Sequence, residues 1–204
     1  MIGNSVLSAL TNLVLLAGLS FTVYYVYHHR RHGRSFAEVL RRAGLQMGEK
    51  EYLWYCVVAS LAMVTILLVW PPPLDPFTRQ GSAQRVFTGL GLGPQALVMA
   101  CLYGIVQTGF SEELLFRGLI AESLSRRLPL LWANVLQALV FLLPHLLILS
   151  VMPEMWPVLV FVFLAALFAG WVRIRSGSIV GPWILHASVN VTMALSIAMR
   201  SQYG

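Results

Sequence analysis

The residues of this chain whose types and spacing could do chemistry lie in three short patterns. Glu112, Glu113 and Arg117 stand in G-F-S-E-E-L-L-F-R-G, Phe141 and His145 in F-L-L-P-H, and His186 and Asn190 in H-A-S-V-N. Glu113 and Arg117 are four residues apart, one helical turn, with the acid N-terminal in the favoured orientation for an ion pair. Glu112 is turned about 100° from Glu113 on the same helix and points elsewhere. One acid is thereby held in a pair and the other is left for chemistry. His186 and Asn190 share a helix face, and Pro144 opens the helix where His145 is presented, because it lacks an N–H and its ring clashes with the preceding turn. A carboxylate, two imidazoles and an amide brought together supply what hydrolysis needs, a base for water and donors for the oxyanion that develops on a carbonyl. Each feature also has a structural reading: an ion-pair cluster for the charged trio, interhelical hydrogen bonding for His and Asn.

The elements that must position these residues are membrane helices. Charged residues make up 11% of the 204 and hydrophobic ones 58%, with a mean hydropathy of +0.74, whereas a soluble domain carries roughly a quarter charged residues. Apolar runs long enough to cross a hydrocarbon core of about 30 Å recur along the chain. They are continuous rather than alternating, which excludes a transmembrane barrel. The reading is an all-α polytopic bundle of about six spans, near residues 4–27, 52–70, 87–124, 130–149, 156–172 and 180–199, with an interfacial helix carrying Phe36, Val39, Leu40 and Leu45 opposite Arg41 and Arg42. The first run has no positive n-region or small-residue cleavage site and reads as a retained span. Pro71, Pro72 and Pro73 stop the second. The stretch 87–124 is too long for one straight span, so a helix start near Pro94 and a break near Gly109 and Ser111 are expected. Residues 1–86 form an N-terminal unit of two spans with a basic loop, and residues 87–204 the bundle that carries the chemistry.

The net charge of +6 is clustered. Arg30, Arg31, Arg34, Arg41, Arg42 and Lys50 share one loop, and alternation of the spans puts Arg126, Arg127, Arg173 and Arg175 on the same side, the cytoplasmic side by the positive-inside rule. Beside a membrane span this is a topology signal; anionic lipid is the other reading, and no nucleic acid partner is expected. Trp54, Trp70, Trp132, Trp156, Trp171 and Trp183 read as an aromatic belt. Glu122 and Glu154 read as solvated, Cys56 and Cys101 as core packing, and Gln107 and Thr108 as interhelical hydrogen-bonding residues. His28, His29 and His32, beside so many arginines, are not read as a metal site. No internal repeat supports a transporter.

Charges inside a bilayer cost about 2.5 to 3.5 kcal/mol each on insertion scales, so Glu112, Glu113 and Arg117 need a function or a strong partner. Together with the later motifs they resemble the CPBP or ABI family of intramembrane proteases, which includes the CAAX prenyl endopeptidases. E-E-x-x-x-R, F-x-x-x-H and H-x-x-x-N occur here in family order, and F-R-G, P-L-W-A and R-x-G-S-I look like the family's flanking sequence. The resemblance covers roughly residues 87–199. It implies a bundle with a polar cavity open toward the cytoplasm, Glu112 as general base assisted by His145, His186 and Asn190 as oxyanion donors, and Glu113, Arg117 and Phe141 in support. No cofactor is expected; zinc held by the two histidines and a glutamate is the alternative, although no H-E-x-x-H is present. The expected partners are membrane lipid and a membrane-bound or lipidated protein or peptide, and the expected setting is a bacterial or archaeal membrane. A non-catalytic member of the family, with a bacteriocin-immunity or scaffold role, is the second reading.

Overall fold

The computed structural model describes residues 2–150 and 152–202. Seven helices, and no strand among the described residues, build the bundle. Helix α1 is Ile2–His32, α2 is Phe36–Arg42, and α3 is Lys50–Val69. Helix α4 runs unbroken over residues 94–125, α5 is Leu130–Leu146, α6 is Trp156–Ser176 and α7 is Val180–Arg200. Five helices are long and apolar enough to cross a membrane: α1, α3, α5 with its continuation to Ser150, α6 with the turn preceding it, and α7. Helix α4, which holds the three buried charges, is the sixth long helix and packs between α1, α5, α6 and α7. Large apolar side chains face outward along the helices, among them Leu61, Val69, Leu131 and Phe161. Such a surface is stable only against lipid, and the chain is an integral membrane protein.

Helix α4 begins at Pro94, where a missing N–H costs nothing. The expected break near Gly109 and Ser111 is absent. Instead the helix widens into two π-helical stretches, Leu102–Phe110 and Glu113–Ala121, on either side of Ser111 and Glu112. The side chains record the wider turn: Thr108 Oγ1 donates to the Tyr103 carbonyl and Ser111 Oγ to the Val106 carbonyl, each five residues back. Helix α5 likewise runs through Pro144 and tightens only beyond Leu146, into a 3-10 turn over Leu147–Ser150.

Small residues let the helices approach. A Cβ on Gly104 would lie 2.8 Å from the backbone nitrogen of Val191 and 3.1 Å from the Ala187 carbonyl, so α7 is seated directly on the α4 backbone. That contact sets the distance between the glutamates of α4 and the His186 and Asn190 face of α7. Helices α5 and α6 are joined by amides: Asn134 Nδ2 donates to the Leu167 carbonyl (2.9 Å), and Gln137 Nε2 to the Ala166 carbonyl (2.8 Å) and to Asn134 Oδ1 (3.0 Å).

The two ends of the bundle differ. At one end α2, started by a Ser35 and Glu38 capping box, meets the C-terminal ends of α4 and α6. The Ser35 backbone and hydroxyl donors hold the Glu38 carboxyl below its ordinary range. Helix α2 does not simply lie on a surface: Val39 and Ala43 are fully buried in the bundle and Phe36 faces out. Glu122, expected to be solvated, is instead 5% exposed, ion-paired to Arg42 at 2.8 Å and to Arg126, and it accepts a hydrogen bond from the Tyr24 hydroxyl at 2.6 Å. Its apolar flanks gave no sign of partners 80 to 98 residues earlier. At the other end, Phe87 packs into a core with Met99 and Ile197, Arg79 pairs with Glu154 at 2.5 Å, and the Gly91 N–H donates to the Ala198 carbonyl. The belt of tryptophans is partial. Trp54, Trp70, Trp132 and Trp156 are exposed, but Trp183 donates to the Ile105 carbonyl at 2.8 Å and Trp171 packs on Tyr52 and Tyr55.

A Cβ on Gly104 would meet the Val191 side chain at 2.7 Å and, at 2.8 Å, its backbone nitrogen, which cannot swing aside. Gly104→Ala is expected to destabilise the protein by roughly 1–3 kcal/mol, the usual cost of overpacking, and to lower turnover by displacing α7. Thermal unfolding in detergent checks the first outcome and a peptide-cleavage assay the second.

Candidate active site

The charged trio of α4 and the polar face of α7 meet in the middle of the bundle. Glu113 is 1% and Arg117 2% exposed, and Arg117 Nη1 lies 3.1 Å from Glu113 Oε1, the pairing that the four-residue spacing requires. The same Oε1 atom lies 2.9 Å from His186 Nδ1. A carboxylate facing an arginine accepts, so Nδ1 carries the proton and donates. One oxygen of Glu113 therefore holds both a guanidinium and an imidazole. The sequence analysis paired Glu113 with Arg117 but did not find its bond to His186, which crosses 73 residues and has no local signal.

With Nδ1 fixed, Nε2 of His186 is the ring's working end. It lies 3.9 Å from Glu112 Oε2. That oxygen is buried and accepts no hydrogen bond from the protein. Glu112 and His186 are nevertheless 19% and 18% exposed as side chains, unlike the enclosed Glu113 and Arg117. The two adjacent acids differ in setting: each keeps one buried Oε2 without a hydrogen bond from the protein, but Glu113 is enclosed and its Oε1 is shared by Arg117 and His186, whereas the Glu112 side chain is partly exposed.

An aromatic ring holds the third motif against the first two. The Arg117 guanidinium lies 4.1 Å above the centre of the Phe141 ring, a cation–π contact that partly replaces lost hydration. His145 packs on the same ring at 4.6 Å between centroids, and His186 stands edge-on to it at 6.2 Å. His145 Nδ1 donates to the Phe141 carbonyl at 2.8 Å; a carbonyl only accepts, so Nδ1 carries a proton and Nε2 is the end of the ring not engaged by that bond. His145 reaches the cluster through Phe141, and among the described residues it makes no hydrogen bond or ion pair with Glu112.

Asn190, one turn beyond His186, donates from Nδ2 to Thr108 Oγ1 at 2.8 Å. The Thr108 hydroxyl spends its own proton on the Tyr103 carbonyl, so it must accept from the amide, which fixes Asn190 with Nδ2 toward α4. One Nδ2 hydrogen remains for a second acceptor. Thr108 has the interhelical role expected of it, and it orients a residue of the third motif.

A cavity of about 390 Å³ opens at the basic end of the bundle, lined by Arg42, Glu122 and Arg173 among others. The Glu112 and His186 cluster is not part of its wall. For zinc, the donors in the cluster without a hydrogen bond in the protein include the Nε2 atoms of the two histidines and the Oε2 atoms of Glu112 and Glu113. Among the described residues, no three His, Cys, Asp or Glu side chains are grouped closely enough to hold a metal ion.

Residues 94–192 match a family model described as Type II CAAX prenyl endopeptidase Rce1-like. No curated protein and no solved structure matches the chain. The matched segment begins with α4 at Pro94 and extends just past Asn190, so all three motifs fall inside it. Over residues 94–192, the part that holds the two glutamates and both histidines, the chain is similar to the Rce1-like type II CAAX prenyl endopeptidases, which supports placing it with the CAAX proteases.

Proposed function

We propose that the protein is an intramembrane endopeptidase that hydrolyses a peptide bond of a membrane-associated protein or peptide with water activated by Glu112. The observation that carries this reading is the free, buried Oε2 of Glu112 facing His186 Nε2 at 3.9 Å. A water about 2.8 Å from each atom spans that separation at close to a right angle, within the range of ordinary hydrogen-bond geometry. Glu112 takes a proton from this water as its oxygen attacks the scissile carbonyl, forming the new C–O bond. The resulting oxyanion accepts from the remaining Nδ2 hydrogen of Asn190 and from His186 Nε2, which donates when the ring is cationic. The Glu113 carboxylate stabilises that cation from the Nδ1 side, as the third member of a triad stabilises an imidazolium. Collapse of the intermediate breaks the C–N bond, and Glu112 returns its proton to the departing amine.

His145 accepts at Nε2 from the water or the protonated Glu112 and keeps the proton in place. Arg117 and Phe141 act at one remove: they hold the Glu113 carboxylate in place and His186 oriented. The non-catalytic reading leaves the buried Oε2 of Glu112 without a hydrogen bond from the protein, and no specific observation favours it.

In this scheme the glutamates separate by role. Glu112→Gln abolishes cleavage and leaves thermal stability unchanged. Glu113→Gln or Arg117→Ala strands a buried charge and costs about 3–5 kcal/mol of stability. Melting curves of the purified variants beside a cleavage assay check this, and an equal loss of stability for Glu112→Gln contradicts it.

The water-only scheme also fixes the metal dependence. Purified protein is expected to contain zinc well below one atom per chain and to keep its activity through an o-phenanthroline titration. Stoichiometric zinc, with activity lost on chelation and restored by added zinc, would reassign the two imidazoles as ligands.

A further inference from the structure

The cavity at the basic end has no role in the hydrolytic scheme and has the composition of an anion site. Its wall includes Arg41, Arg42, Gln46, Glu122, Arg126 and Arg173, contributed by α2 and the segment after it, the C-terminal end of α4 and the C-terminal end of α6. Four guanidiniums against one carboxylate leave three positive charges in excess. The carboxylate is already satisfied: Glu122 is held by Arg42, Arg126 and the Tyr24 hydroxyl. Arg41 and Arg173 have no acidic partner among the described residues.

Arg173 is the informative one. It is 5% exposed and yet lines the cavity. Its Nη2 donates to the Arg42 carbonyl at 2.7 Å, while its Nε has no partner in the protein. It is held in place from behind. Gly44, at φ +80°, passes so close that a Cβ there would lie 2.8 Å from Arg173 Nε, and the next carbonyl contact, Gly44 to the Ile179 N–H, ties the α2 segment to the start of α7. A buried arginine with no counter-charge is costly unless an anion completes its environment, and a rigid guanidinium fork suits phosphate oxygens. The position supplies the source. The cavity lies where α4 and α6 end beside α2 among basic residues, which is the depth of lipid headgroups on that face, and basic pockets between spanning helices bind anionic headgroups.

We propose that this cavity binds the phosphate of an anionic phospholipid, one molecule per chain. The proposal does not depend on the hydrolytic mechanism. Native mass spectrometry of the full-length protein, offered phosphatidylglycerol and phosphatidylcholine in equal amounts, reads it directly. Wild type is expected to retain one phosphatidylglycerol in preference to phosphatidylcholine. Arg41→Gln/Arg126→Gln, two changes at solvent-exposed side chains, is expected to weaken that retention by about tenfold or more, given the attraction of each arginine for an anionic headgroup. Arg85→Gln, an equal loss of charge per residue at the opposite end, leaves it unchanged. If the double variant melts below wild type without lipid, Arg41→Gln alone carries the comparison, with a several-fold loss expected. Displacement of the bound lipid by millimolar inorganic phosphate supports phosphate as the recognised group. Equal retention of the two lipids, or an equal effect of Arg85→Gln, overturns the proposal, and inorganic phosphate raising the melting temperature as far as phosphatidylglycerol does would overturn the lipid as its source.

Discussion

Oxygen Oε1 of Glu113 is ion-paired to Arg117 at 3.1 Å and accepts from His186 Nδ1 at 2.9 Å, and the rest of the centre follows from that sharing. A carboxylate 1% exposed in the middle of an apolar bundle is costly unless a cation is paired with it. Arg117 is that cation, and Phe141 makes the arginine tolerable by stacking beneath it. The Glu113 carboxylate in turn fixes a proton of His186 on Nδ1 and aims Nε2 at Glu112. The three motifs are therefore physically one unit: the second supplies the ring on which the first and third rest. Glu112 differs from its neighbour in its exposure, 19% against 1%, and in having no guanidinium against it.

This arrangement needs α4 and α7 closer than ordinary side chains allow. Gly104 removes the Cβ at their contact, and the π-helical stretches rotate the turns on either side of Glu112, so that Ser111 and Thr108 turn their hydroxyls to carbonyls five residues back. Thr108 then presents its oxygen to Asn190. Widened helical turns lose some backbone packing and persist where tertiary contacts compensate, which is why they gather at functional sites. The last turn of the same helix, Glu122–Ser125, lines the basic cavity, so that a single element joins the Glu112 and Glu113 cluster to the surface of the bundle.

Much of this could be read in the sequence, because membrane helices announce themselves. The apolar runs, the prolines at 71–73 and the basic clusters located α3, α5, α6 and α7 to within a few residues, and the four-residue spacing of Glu113 and Arg117 predicted their pairing. The rest depended on partners that are remote in the chain. Nothing near His186 indicates that its Nδ1 meets Glu113, and nothing near Glu122 indicates that Tyr24 and Arg42 enclose it; hydropathy reports how deep a residue sits, never what it touches. The break expected at Gly109 failed for a related reason. Glycine and serine lower the cost of leaving the α-helical pattern, but whether the backbone breaks or merely widens is decided by the helices packed around it, here by Trp183 against Gly109 and by α7 against Gly104.

The central claim is that Glu113 acts on the reaction through His186. A double-mutant cycle of Glu113→Gln and His186→Ala, measured as kcat per folded enzyme on a membrane-embedded peptide, tests it most directly. If the carboxylate works by charging and orienting the imidazole, the double variant is no slower than His186→Ala alone. Losses that multiply, each variant lowering kcat by the same factor whether or not the other is present, would show that the two residues act independently and would contradict the account.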